Sequence, residues 1–292
     1  MKSPTLPARL LGATLEKLRE GVGYTREAAA RDLDMSQQTL WRIERAQWDR
    51  PPKTLTIMGL CRLYNAEEST QATLIQLLEQ SRESGWWRKF GNVMAPGFSI
   101  FIAQEDAARR MFSYQPALLP GLLQTRGYRR ALALTIDPAT PDDYINQSIE
   151  LAARRQRRLT TTTTDRFEVN VVLAETVLRQ RVGSAKVMTD QLGRLIESSE
   201  LPTVSIRVLP TGVPHIGLVT SAFVILECPE SSLDWVPDEP PLVYLEHFTG
   251  ALYLGEHEEV QRYRHAYKAI AEASLTTAAT RDLIASITKD LQ

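Results

Sequence analysis

Two adjacent glutamines, Gln37 and Gln38, open the segment QQTLWRIERA directly after Ser36. A carboxamide offers a donor and an acceptor side by side, the pattern that meets N6 and N7 of adenine on the major-groove edge of a base pair. Thr39 is a third candidate reader at the same end, and Arg42 carries the fork needed to reach guanine or a phosphate. Around them, Ser36, Arg26, Arg45, Arg50 and Lys53 bring hydroxyl and cationic groups suited to backbone phosphates, contacts that orient a protein without carrying sequence information. Trp41 has two readings: a contact with DNA, at a thymine methyl or the backbone, or packing on the neighbouring loop.

Such residues act only if a scaffold presents the tip of their helix, and the flanking sequence predicts one. Leu11, Leu15, Leu18 and Val22 recur at helical period and give a first helix, broken by Gly21 and Gly23. Thr25 caps a second, TREAAARDL, whose alanines allow close helix approach. Asp34 and Met35 form a tight connection, Ser36 caps the third helix, and Leu40 and Ile43 face inward. After Pro51 and Pro52, the residues Ile57, Leu60, Cys61 and Tyr64 mark a fourth helix. Leu74, Leu77 and Leu78 mark a fifth, ended by Gly85.

The run TREAAARDLDMSQQTLWRIERAQWDRPPKTLTIMGLCRLY resembles the five-helix DNA-binding domain of the lambda-repressor-like, or Xre-type, helix-turn-helix regulators. The likeness is carried by Arg19, Thr25, the pair Ala29 and Ala30, Met35, Ser36, Ile43-Glu44 and Pro52. It implies that the third helix enters the major groove, and useful specificity from so short a reading head implies two half-sites and a homodimer. Two positions depart from the pattern: Asp34 stands in the inter-helix turn and Ala46 at the end of helix three, both where the family prefers Gly. Because Ala enters the left-handed region reluctantly, helix three is expected to run on toward Trp48.

Bulk composition agrees with a folded, two-domain protein. The 292 residues are 43% hydrophobic and 24% charged, and no apolar run is long enough for a spanning helix. With no export signal in MKSPTLPARLLG, a cytoplasmic location is expected. The net charge of −1 would disfavour a nucleic-acid partner, but residues 1–64 carry eleven Lys or Arg against seven Asp or Glu. Cys61 and Cys228 are isolated, so neither a disulfide nor a zinc site is expected, and Cys61 reads as a core thiol.

The predicted fold is therefore α plus α/β: a helix-turn-helix bundle over 1–84, then a mixed α/β domain of about 4–5 strands over 85–292. FEVNVVLAE, TVSIRVLP, SAFVILEC, PLVYLEH and ALYLG read as strands, the first two a parallel pair joined by helices over 175–200. EDAARRMFSY reads as a helix, PALLPGLLQT as a type II turn, and the threonines 160–164 as a polar connector. The arginines ending DDYINQSIELAARRQRRL read as a solvated face complementing the helix dipole. Trp86 and Trp87 read as the edge of the second core or as a plug between domains.

The second part also resembles the uncharacterised domain found behind this helix-turn-helix in many actinobacterial regulators. The matching residues are Gly85-Trp86-Trp87, Glu105, Pro120 to Thr125, Tyr128, Arg154, Glu175, Gln191-Leu192, Leu209-Pro210, Val243 to Glu246 and Tyr253. The resemblance implies an antitoxin-like regulator whose second domain binds a small partner protein encoded nearby, with Trp86, Trp87, Glu105, Gln124, Glu175 and Glu246 as candidate partner or ligand residues. A small-molecule-responsive regulator and a DNA-linked hydrolase are the alternatives. Glu105, Glu175, Glu246, His215 and His247 are not spaced as any catalytic motif, so neither enzyme activity nor a cofactor is expected.

Overall fold

A computed structural model of the chain describes residues 5–48, 50–83, 85–160, 166–229, 240–247 and 250–291. These form two compact units. One takes in residues up to Arg88 together with Ile102–Ala107; the other takes in Lys89–Phe101, Ala108–Pro229 and the described residues beyond 239. Threonines 161–164 of the expected connector lie outside the described residues.

The first unit is a bundle of α1 (Leu6–Gly21), α2 (Arg26–Asp32), α3 (Gln37–Glu44), α4 (Thr54–Leu63) and α5 (Glu68–Glu83). Leu11 and Leu15, Ala29 and Ala30, Leu40 and Ile43, Ile57, Leu60, Cys61 and Tyr64, and Leu74 and Leu78 close one core. Each fully buried leucine there contributes about 1.5–3 kcal/mol of burial free energy. Val22, expected on the apolar stripe, is exposed, because it caps α1 rather than continuing it. Burial pushes the Cys61 thiol up to about 11, which fits an inert core residue. A Cβ on Gly12 would lie 2.2 Å from the Glu44 carbonyl oxygen, so α1 and the end of α3 meet backbone to backbone.

Helices α1 to α4 stop the same way. The N–H groups of Tyr24, Met35, Gln47 and Ala66 reach back to the carbonyls of Arg19, Ala30, Arg42 and Cys61 at 2.8–3.0 Å, and the preceding residue is left-handed each time. That residue is Gly23, Asp34 (φ 50°), Ala46 (φ 53°) and Asn65 (φ 52°) in turn. The expectation that α3 continues toward Trp48 is thus corrected: it ends at Glu44, and Ala46 takes the left-handed conformation itself. The two backbone bonds and the burial of the Ala46 side chain offset the strain. Asp34 is exposed and left-handed, a conformation that glycine adopts without steric cost. Its carboxylate lies between the C-terminus of α2 and the N-terminus of α3, whose dipoles act on it in opposite senses. Asp34→Gly is therefore expected to stabilise this unit by about 0.5–1 kcal/mol, read as a higher urea midpoint at unchanged slope.

Among the described residues the second unit carries one six-stranded sheet, in the order β3-β2-β1-β4-β5-β6. The strands are β1 (Arg110–Gln115), β2 (Glu168–Ala174), β3 (Val204–Leu209), β4 (Phe223–Glu227), β5 (Leu242–His247) and β6 (Gly250–Leu254). β1, β2 and β3 pair in parallel, and β4 to β6 continue antiparallel from β1. All five expected strands are present, with β2 and β3 parallel across α9 (Glu175–Arg179) and α10 (Ala185–Ser199). The sixth corrects the reading of EDAARRMFSY as one helix: α6 (Phe98–Ala107) stops at Ala107, and RMFSYQ becomes β1, flanked by strands on both sides.

Two more helices precede β2: α7 (Arg126–Ile136) and α8 (Asp142–Gln156). The closing pair α11 (His257–Glu272) and α12 (Thr277–Asp290) pack on the sheet, with Val260 and Ile270 buried against Tyr114, Val172, Phe223 and Val243. At the β3 edge, Thr280 accepts a bond from the Val208 N–H at 3.0 Å, and the Leu275 N–H donates to the Val208 carbonyl. This edge is thereby covered rather than left open to another chain.

The Pro120-Gly121 turn differs from the type II expectation. Its bond runs from the Leu123 N–H to the Pro120 carbonyl at 2.9 Å, and Gly121 is not left-handed. Of the four arginines read as a solvated face, Arg157 is exposed, but Arg155 and Arg158 are not on such a face. Arg155 is buried with its guanidinium over Phe98 and Phe101, and Arg158 lies 4.0 Å over Phe167 while donating to the Ala108 carbonyl. The long side chains bring apolar stems to the core that the sequence pattern does not register.

Candidate nucleic-acid interface

Ser36 and Thr25 each do at a helix start what their hydroxyls predict. Ser36 Oγ accepts from the Thr39 N–H at 3.0 Å and Thr25 Oγ1 from the Ala28 N–H at 3.1 Å, so α2 and α3 both begin with a filled cap. The Thr39 hydroxyl is itself bonded to Ser36 Oγ at 2.8 Å. Between the caps, the Asp34 turn sets α3 after α2, while Leu40 and Ile43 anchor its inner side in the core. Gln37, Gln38, Thr39, Trp41 and Arg42 are left exposed. Trp41 is 38% exposed, a half-open ring on the outer side of the helix.

An alternating chain of charges holds α3 in place. Glu44, whose side chain is fully buried, accepts from Arg19 Nε at 2.6 Å and from Arg26 Nε at 2.7 Å. Burial works against the charge of Arg19, but the hydrogen bond and charge of Glu44 outweigh it and hold the group above its ordinary value. Arg19 also donates to the Tyr24 carbonyl at 2.9 Å. Arg26 continues to Glu16 at 3.0 Å, and Glu16 takes Arg45 at 3.1 Å. One carboxylate on α3 and one on α1 thereby tie together α1, α2 and the end of α3.

This network revises the set of phosphate contacts. Arg26, grouped with the clamps from its place in the sequence, is half-buried and committed to two carboxylates, a positioning role. Arg45 is exposed but shares Glu16. Arg42, Arg50 and Lys53 are exposed and make no ion pair among the described residues. The one local signal is Glu44 itself, which follows Ile43 and lies four residues after Leu40, on the inward side of α3 where an acid needs a cation; which arginines supply it is not local.

The chain matches the family model described as a domain of unknown function, DUF5753, over residues 98–286. The chain belongs to the DUF5753 family. Its N-terminal part matches the model of a helix-turn-helix domain over residues 10–74, which takes in the caps, the turn and the exposed face of α3. A helix-turn-helix domain points to a DNA-binding regulator. No curated protein and no solved structure matches the chain.

Most of the remaining candidate residues of this DUF5753 protein are engaged locally. Trp87 is buried and meets Trp86 edge to face at 5.7 Å, and Trp86 Nε1 donates to Asp106 at 3.2 Å. Both tryptophans fall in the first compact unit, not at the edge of the second core. Glu105 is buried on α6. Gln124 donates to the Leu119 carbonyl at 2.7 Å. Glu175 accepts from the Thr211 N–H at 3.0 Å and from Arg179 at 2.8 Å, which hold its carboxyl below the usual range. Glu246 and His247 are exposed at the end of β5. No helix among the described residues is long and apolar enough to cross a membrane.

Proposed function

We propose that the protein is a sequence-specific transcription regulator of the Xre type, a cytoplasmic binding protein rather than an enzyme. It reads double-stranded DNA with Gln37, Gln38, Thr39 and Arg42 and holds the backbone with Ser36, Arg45, Arg50 and Lys53. The observation that carries this reading is the capped, anchored α3 with its polar N-terminal face exposed. A single such helix covers only a few base pairs, so the regulator acts as a homodimer on paired half-sites about one helical turn apart. The domain behind it supplies control, as an antitoxin-like repressor would need, through a small partner protein or through a ligand.

Selection from a pool of random duplexes with the full chain tests the reading. It should enrich one short site occurring as two symmetric copies, and an unenriched pool would overturn it. On the selected site, log affinity should fall linearly with log salt, at roughly 0.9 per phosphate neutralised. Arg50→Ala and Lys53→Ala should each flatten that slope by about 0.9 and weaken specific and unrelated duplexes alike. An unchanged slope in both variants would remove these residues from the interface.

A further inference from the structure

In the second unit, two guanidinium groups converge on one glycine. A Cβ built on Gly121 would lie 3.0 Å from Nη2 of Arg129 and 3.1 Å from Nη1 of Arg155, so both tips approach the same point. Arg129, on α7, donates to Ser148 at 3.0 Å, while its Nε is buried with no hydrogen-bond partner. A buried charged donor without an acceptor is costly, and a small ion is one way such a group is satisfied. Burial, together with the nearby charge of Arg155, brings the Arg129 guanidinium down to about 10, against the opposing pull of Glu246. Glu246 is exposed and forms no ion pair with Arg129.

The loop that offers Gly121 is fixed from three sides. Gln191, fully buried, donates to the Leu123 carbonyl at 2.8 Å and accepts from the Thr125 N–H at 2.7 Å. Gln156 donates to the carbonyls of Gly121 and Gln124, and Gln124 to that of Leu119. The Cβ-less surface of Gly121 is thus held in place beside the two cations rather than left to drift. Forked donors that converge from two side chains onto one fixed point are what an oxyanion requires.

We propose that Arg129 and Arg155, beside Gly121, form a binding site for one oxyanion group, the carboxylate or phosphate of a small effector molecule. The site rests on the second unit alone, so it stands or falls independently of DNA reading. The test is the melting temperature of the full-length protein against inorganic phosphate and against acetate, at constant ionic strength set with sodium chloride.

A saturable rise of roughly 5–10 °C at a hundredfold excess over Kd is expected with at least one anion. Phosphate alone would point to a phosphorylated effector, acetate alone to a carboxylic acid, and both to a site for either head group. Arg129→Met should weaken the binding on the order of tenfold or more. Should that variant not fold, Gly121→Ala keeps both arginines and sets a methyl group against their tips, which must move apart to admit it. No saturable rise with either anion, or the same rise in wild type and variant, overturns the proposal.

Discussion

Glu44→Gln is expected to lower the stability of the helical unit by about 3–5 kcal/mol, whereas Glu20→Gln should change it by about 1 kcal/mol or less. Both carboxylates touch Arg19, at 2.6 Å and 3.3 Å, so proximity does not separate them. Burial does: the Glu44 side chain is fully buried, while that of Glu20 is 64% exposed. An amide at position 44 keeps the shape but strips the compensating charge from Arg19, which is itself buried, and from Arg26. An exposed pair, in contrast, exchanges its partner for water at little net cost.

The measurement is urea denaturation followed by tryptophan fluorescence. Four of the five tryptophans, Trp41, Trp48, Trp86 and Trp87, belong to the helical unit and dominate the signal, while Trp235 lies outside the described residues. Trp235→Phe in the background of both variants makes the signal report the helical unit. Equal midpoint shifts in the two variants would show that the buried carboxylate has no special role. A loss close to the expected 3–5 kcal/mol takes much of the stability typical of a small domain, which is of order 5–15 kcal/mol. DNA binding would then fall through loss of the folded head, without any base contact having been touched.

The bundle was legible in the sequence because its signals are local and agree. Caps at Thr25 and Ser36, apolar residues at helical spacing and the Pro51-Pro52 break each act within a few residues, and each recurs in the structure. What was not legible depended on distant partners. RMFSYQ becomes a strand because β2 and β4 lie on either side of it, a fact more than fifty residues away in both cases. Arg26 looks like a phosphate contact until Glu44 and Glu16 arrive from two other helices. Ala46 disfavours a left-handed turn on its own, yet two backbone hydrogen bonds and a buried side chain hold it there. Arg155 carries the composition of a surface residue and the environment of a core one. In each case tertiary context overrides a correct local tendency.

The double change Gln37→Ala and Gln38→Ala tests the head itself, and its expected result is the reverse of that for Glu44. Both side chains are exposed, neither hydrogen-bonds within the described residues, and Ala is a better helix former than Gln, so the fold should be kept or slightly stabilised. Each bidentate amide-to-adenine pair is worth about 1–3 kcal/mol of discrimination, and two together about 2–6 kcal/mol. The ratio of specific to non-specific affinity should therefore fall by at least roughly 30-fold, while binding to unrelated duplexes and the salt slope persist through Arg42, Arg50 and Lys53. Competition between the selected site and a scrambled duplex, at one fixed salt concentration, reads that ratio directly. A ratio that survives the double change would take base recognition away from the N-terminal tip of α3. Arg42→Ala, one turn further along the same exposed face, would then show whether the reading residues lie deeper in the helix or on another element.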